Sequence, residues 1–474
     1  MTLWVVIIGL VGSTTVAPVM RESDQASLLD GSLTLAREWK PQGQQFYNYD
    51  KQWLSYWILS SGTRVLIKDE NASLSDFVEL GNYLAFFIAW GGVGLALIIC
   101  AGRNWTACCI SAMLTLSPVW LLSQSLLSSN IISAGFLGIW IIAMELAKKA
   151  KIKRKNLYPV ICGLCAFLAV GCRADAVLVL PAWAIAWWGV GRDWRNIWKE
   201  KALYWSVLGA TVALLVGRYL DASIDRSYGA FFQLETFIGY LFFGLGGIIL
   251  IYVAALISVI FTKKKRDQKW FLELIWVLLL LLPLMYYGRL LFTPRHLTTA
   301  ALVITLSACF SGSHSWWREL LKSHTKWIIS FAVVLLVLPL GLGIQLHSLR
   351  SGRLVVQDPP TLYPTADGLW PMGSYVQFIK DLSQADEITI DHNQRVWGAW
   401  LEVFPKDLPE GKIHIISKGL TSYGKLWVCW HNRELLGREA KGSMKGLVMF
   451  DSRSLIKDHK LKSQNVPPWF YEIE

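Results

Sequence analysis

The residues of this chain able to do chemistry stand in a few short runs between long apolar stretches. Asp50 and Lys51 lie side by side in YNYDKQWLSYW, an acid and an ammonium among aromatic rings. Arg173 and Asp175 stand two apart in GCRADA, and Arg289, Arg295 and His296 share the run YYGRLLFTPRHL. Asp24 and Asp30 follow the first apolar segment. A guanidinium presents a planar fork that fits phosphate oxygens two at a time, so the Arg289–Arg295–His296 run is a phosphate-binding candidate. Its alternative is anchoring to lipid headgroups. Charges beside apolar spans are costly and often functional. Arg173 and Asp175 therefore either shape a cavity or close two helix ends with a structural ion pair. Lys51 either meets a ligand or snorkels from its aromatic neighbours to the headgroups. An Asp ahead of a helix is a favoured N-cap, which is the alternative for Asp30 and Asp24.

These runs acquire a common setting from the apolar segments around them. Of the 474 residues, 54% are hydrophobic and only 17% charged, against about 25% in soluble domains. Runs such as 328–344 and 237–261 are long enough to cross a bilayer core. The 25 Trp suit a chain whose indole rings collect at the two headgroup levels. We read a polytopic membrane protein, mainly α, with eleven spans near 3–20, 81–101, 106–127, 131–147, 157–172, 176–191, 202–219, 237–261, 270–288, 296–312 and 327–347. With the N-terminus in the cytoplasm, the short cytoplasmic loops hold 19 Lys and Arg and the short outer loops 4. Basic loops face the cytoplasm. The predicted topology is N-in and C-out, with an integral protein of a bacterial inner membrane expected from the architecture. The net charge of +12 thus sets topology and does not imply a nucleic-acid partner.

Two long stretches then lie outside: loop 21–80, within a membrane domain of residues 1–347, and a tail, 348–474. In the loop, Leu29, Leu33 and Ala36 recur at helical spacing, as do Trp53, Tyr56 and Trp57. Two interfacial helices follow, each with one face toward the headgroups. Asp24 and Asp30 then sit just outside the first span. The tail alternates an amphipathic run (374–382) with β-rich runs EITIDH, KIHIIS, KLWVCWH and KGLVMFD, which predicts a small extracytoplasmic α/β domain. Its run at 367–371 reads as a turn, and Asp391-His392 as a strand end. Seven of the 8 Cys fall within spans, leaving Cys429 alone outside, so no disulfide framework is expected. Cys162 and Cys165 read as small fillers between helices. No cluster with metal-ligand spacing is seen, so no metal or other cofactor is predicted.

The order of these runs resembles the GT-C type of membrane glycosyltransferase, closest to the branch of lipid A aminoarabinose transferases and protein O-mannosyltransferases. That family has an outer-loop Asp, an A-R-E or A-R-N helix, and a Y-x-x-K-P-P-L-x-Y-W-L stretch. Here stand Asp30, Ala36-Arg37-Glu38, and Tyr49 through Ile58. Arg173-Ala174-Asp175-Ala176 is similar to its R-P-D-A, and Pro294-Arg295-His296-Leu297 to its P-R-Y-L. The chain departs at Gly31, where the family has a second acid, at Gln52-Trp53 for Pro-Pro, and at His296 for Tyr. Asp30 also lies two residues nearer Ala36 than in the branch, which leaves the catalytic position open between Asp30 and Asp24.

The resemblance implies transfer of a sugar from a polyprenyl-phosphate donor to a lipid, glycan or protein acceptor on the outer face. It implies Asp30, or Asp24, as the base for the attacking group. Asp50, Lys51, Arg173, Asp175, Arg289, Arg295 and His296 are then substrate-binding residues, with membrane lipids as the surroundings. Some relatives use a divalent ion, which leaves a metal open for this chain. A transporter or flippase is the alternative class, and an inactive relative another. Transporters place ionisable groups mid-span and often repeat their halves, whereas here the charges sit at outer ends and no repeat is found.

Overall fold

The computed structural model describes residues 2–16, 19–20, 23–39, 49–69, 71–101, 105–115, 117–124, 126–149, 156–188, 200–220, 234, 237, 245, 248, 268–287 and 294–308, with strand segments 370–371, 388–391, 413–416, 446–449, 461–462 and 470–473 in the tail. The membrane part is helical. Helix α1 (Thr2–Thr15) leads through strand β1 (Val19–Met20) to α2 (Ser23–Glu38) and α3 (Tyr49–Leu66). Then follow α4 (Leu74–Ala101), α5 (Trp105–Thr115), α6 (Pro118–Ser123), α7 (Ser129–Lys149) and α8 (Leu157–Cys172). A 3-10 turn (Ala174–Leu178) leads to α9 (Leu180–Trp188), and α10 (Lys201–Tyr219) comes next. Helix α11 (Gln268–Tyr287), a second 3-10 turn (Pro294–Leu297) and α12 (Thr298–Ala308) complete the described helices.

Among the described residues, α4, α7 and α10 are long and apolar enough to cross a membrane, and α1, α8, α9, α11 and α12 are shorter apolar helices. Helices α4, α7, α8 and α10 pack side by side in that order. Glycines permit the approach: a side chain on Gly92 would run into the backbone of Gly135, and one on Gly209 into that of Gly163. Close backbone contact through small residues is the usual way helices associate where lipid removes a hydrophobic drive. Polar side chains join the same helices. Ser133 on α7 donates to the Ala169 carbonyl on α8 at 2.8 Å, and the Trp140 indole donates to Ser206 on α10 at 2.8 Å.

Several expected spans change shape for local reasons. The segment read as 106–127 is two helices, because Ser117 caps a new start and Pro118, which has no N–H to leave unpaired, opens α6. The span read as 176–191 begins as a 3-10 turn before α9. Helix α4 starts seven residues before the expected 81, since Ser73 and Asp76 cap each other: the Ser73 N–H donates to Asp76 at 2.8 Å and the Asp76 N–H to Ser73 at 3.1 Å. The first segment ends its helix at Thr15, and Val19–Met20 pairs antiparallel with strand β2 (Trp370–Pro371). Two of the residues read as a turn in the tail are therefore strand. Residues 327–347, and all but 237, 245 and 248 of the expected span 237–261, lie outside the described residues.

In the tail, strands β3 (Ile388–Asp391), β4 (Ile413–Ile416), β5 (Gly446–Met449), β6 (Leu461–Lys462) and β7 (Phe470–Ile473) form one sheet in the order β4-β3-β5-β7-β6. Strands β4, β3 and β5 run parallel, whereas β7 is antiparallel to both β5 and β6. Three of the four β-rich runs coincide with β3, β4 and β5, and Asp391 ends β3. The fourth run (425–431), the amphipathic run (374–382) and His392 lie outside the described residues.

Candidate functional site

Helices α2 and α3 pack on each other and carry the first candidate residues. Leu29, Leu33 and Ala36 of α2 and Trp53 and Tyr56 of α3 are buried within the protein, so the faces expected to lie toward the headgroups pack on protein instead. Arg64 of α3 closes the end of α2, donating to the Leu35 carbonyl at 3.2 Å and stacking 3.0 Å above the Trp39 ring. Trp39 holds a left-handed backbone (φ 60°), a conformation suited to a helix end. The start of α2 is tied to α4 by Gln25, whose amide donates to Asn82 at 2.9 Å, while Asn82 also accepts the Leu127 N–H at 2.7 Å.

Asp24 lies in the first turn of α2 and Asp30 in its middle. The expected N-cap alternative for Asp30 is therefore corrected: a residue seven positions inside a helix has no free N-terminal N–H groups to cap.

The Asp50-Lys51 pair forms the first turn of α3, and the helix breaks at the next residue. Gln52 is non-helical (φ −148°, ψ 24°) and fully buried. This is the position at which the family stretch carries Pro, so the break is present without the ring that ordinarily imposes it. Lys51 is exposed and Asp50 half-buried. Beneath them Tyr49 is buried, its hydroxyl accepting the Trp57 indole N–H at 2.7 Å. Burial pushes the Tyr49 hydroxyl up to about 12, and the bond from Trp57 opposes the shift.

Helix α3 rests on the ends of two others. Ser55 donates to the Cys172 carbonyl at 3.1 Å, and Trp53 donates to the Ala213 carbonyl of α10 at 3.3 Å. The Cys172 contact is one residue from Arg173. There the α8 helix stops and the guanidinium Nε meets both Asp175 oxygens at 3.1 Å, while Nη1 reaches Ser129 Oγ at 3.4 Å. The pair is well buried, with side chains 11% and 8% exposed. Helix α3 thus carries the Asp50-Lys51 turn and, through Ser55, meets the end of α8 from which the Arg173–Asp175 pair follows. Arg295 and His296 lie in the second 3-10 turn, which packs on α6 and α7, and His296 is buried. Arg289 lies outside the described residues. Nothing in the sequence marks Ser55 or Ser129, whereas Gln52 stands where the family stretch has its first Pro.

An apolar crevice of about 440 Å³ opens between α7, α9, α10 and α11. Trp140, Val177, Pro181, Tyr204, Thr211 and Leu279 are among its lining residues. Val177 follows Asp175 by two residues, so one wall of the crevice begins at the ion pair. Among the described residues no three His, Cys, Asp or Glu side chains gather as a metal site.

No protein-family model and no curated protein matches the sequence. Two solved structures resemble the chain, both of ArnT from Cupriavidus metallidurans, an aminoarabinose transferase of the GT-C type. The crystal structure of that protein bound to undecaprenyl phosphate has a TM-score of 0.54 at 13% identity, over 87% of this chain and 85% of ArnT. The apo crystal structure has a TM-score of 0.53 at 13% identity, over 88% and 86%. At this identity the likeness speaks for the fold, and it extends over most of both chains. The chain is a helical integral membrane protein with the fold seen in ArnT.

Proposed function

We propose that this protein is a glycosyltransferase that moves a sugar from a polyprenyl-phosphate carrier to a hydroxyl or amine on the outer face of the membrane. The observation that carries the reading is an apolar crevice whose lining begins two residues from the buried Arg173–Asp175 pair, in a fold shared with a protein solved with undecaprenyl phosphate. A long prenyl chain needs an apolar groove, and its phosphate needs cations near the groove's mouth.

In this reaction the acceptor oxygen or nitrogen attacks the anomeric carbon and the bond from that carbon to the phosphate oxygen breaks. The electron pair leaves with the polyprenyl phosphate, and the acceptor's proton passes to a carboxylate. Asp30 is the proposed base, with Asp24 as the second candidate. Lys51, with Asp50 beside it, takes the donor phosphate as negative charge grows there. Fixed cations in a water-poor site stabilise such charge without reorganising. Arg289, Arg295 and His296 are the proposed second phosphate contact, and Arg173 with Asp175 braces the wall between the two.

The reading includes eleven spans, an N-terminus in the cytoplasm, a membrane domain of residues 1–347 and an extracytoplasmic α/β domain of 348–474. Pairing of β1 with β2 supports an arrangement with the end of the first segment and the start of the tail domain on one side. A lipid, glycan or protein serves as acceptor.

The test is turnover by purified protein in detergent, offered a panel of polyprenyl-phosphate sugars with membrane extract as the acceptor source. Release of free polyprenyl phosphate from one donor is the expected result. No release from any donor, in extract that contains the acceptor, would overturn the reading in favour of a non-transferase role for the fold.

A further inference from the structure

The helical backbone of α3 is interrupted at Gln52, one residue after Lys51, while the Tyr49 hydroxyl still ties the first turn to Trp57 further along the helix. On its other side the turn rests on the end of α10. Gly217 is buried there, directly under the Asp50 carbonyl oxygen. Any side chain on Gly217 would collide with that oxygen, and its Cβ would stand 3.0 Å from Cδ1 of Trp53. One turn earlier on α10, the Ala213 carbonyl accepts the Trp53 indole N–H at 3.3 Å. The Trp53 ring also meets Phe167 of α8 edge-on, with centroids 5.8 Å apart. Backbone, hydrogen bond and ring together form a seat that fits the Asp50-Lys51 turn only when position 217 carries no side chain. Other glycines on the helices do different work: Gly209 lies against α8, while Gly217 meets α3.

We infer that Gly217 is a positioning residue that sets where Lys51 meets the donor phosphate, a role that rests on the function proposed above. A methyl group at 217 has to lift the Asp50 carbonyl, and Lys51, the next residue, moves with it. Displacement of about 1 Å at a substrate-positioning group lowers rates by up to roughly a hundredfold.

The experiment measures polyprenyl phosphate release against donor concentration for wild type, Gly217→Ala, Lys51→Ala and the double variant. Gly217→Ala is expected to lower kcat/KM by about tenfold to a hundredfold, chiefly through kcat, since Lys51 acts as charge grows on the leaving phosphate. In the Lys51→Ala background the same change is expected to add nothing, because residues acting through one contact are not additive. Wild-type kinetics for Gly217→Ala, or a loss that multiplies with that of Lys51→Ala, would overturn the inference while leaving the transferase reading intact. If Gly217→Ala does not fold, Trp53→Phe takes its place: it deletes the indole donor, keeps a ring, and is held to the same two outcomes. Absence of release by wild type overturns the transferase reading, and this role with it.

Discussion

The hydroxyl of Ser55 donates to the carbonyl of Cys172 at 3.1 Å, fastening α3 to α8 one residue before Arg173. This single bond joins the helix that carries Lys51 to the break that carries the Arg173–Asp175 pair. Removing it by Ser55→Ala is expected to lower stability by about 1 kcal/mol, read as a lower midpoint of thermal unfolding in detergent.

The Arg173–Asp175 pair is well buried, so removing one partner leaves the other charge uncompensated. Arg173→Ala, which strands the Asp175 carboxylate, is expected to destabilise by about 3 kcal/mol, and Asp175→Ala by less, since Arg173 keeps Ser129. Replacing both with Leu is expected to recover most of that loss, because the desolvation of two charges is relieved at once. Thermal unfolding of the three variants in one detergent checks this. A double variant no more stable than the singles would show that other groups depend on the pair.

Lys51 is exposed on the first turn of α3, and the proposed topology puts that turn on the outer face. A cysteine at 51, in a background where the native thiols are replaced, is expected to react with a membrane-impermeant maleimide added to intact spheroplasts. A cysteine in the basic loop 148–155 is expected to react only after lysis. The reverse pattern would invert the topology.

Tyr49 holds its proton in the fold, its hydroxyl raised from 10.0 to about 12 by burial. A group whose folded value is raised contributes stability that is complete below its unfolded value and is lost as pH climbs through the folded one. The window here is from about pH 10 to about pH 12. Unfolding midpoints taken on either side of pH 10 are expected to fall more steeply for wild type than for Tyr49→Phe. Tyr49→Phe is also expected to leave the pH–rate profile below about pH 9 unchanged, since the hydroxyl is fully protonated there.

Much of this fold was legible in the residues because the signals were local. Leu29, Leu33 and Ala36 announced helix α2, and Trp53 and Tyr56 helix α3, since helical spacing carries that information alone, whereas spacing does not tell a face turned to headgroups from one packed on protein, which these are. Apolar length likewise announced α4, α7 and α10. Helix breaks were harder to read: Pro118 within an apolar run, and the extended α4 start at Ser73 and Asp76, depend on capping, to which the length of an apolar run is blind. Arg173 and Asp175 were legible as a pair because they are two residues apart. Their link to α3 was not, since Ser55 and Cys172 are 117 positions apart and neither type is distinctive. The seat of Lys51 on Gly217 is of the same kind. A buried glycine in an apolar helix looks in sequence like any other, and only the approach of the Asp50 carbonyl gives it a part.

The measurement that bears most directly on the central claim is release of polyprenyl phosphate by purified wild-type, Asp30→Asn and Asp24→Asn proteins with a competent donor. Asn keeps the size of the carboxylate and cannot accept the acceptor's proton. The account predicts release by wild type and loss of about a hundredfold or more in one of the two variants, with Asp30→Asn expected to be that variant. Release unchanged in both would contradict the assignment of the base to α2, and absence of release by wild type would contradict the transferase itself.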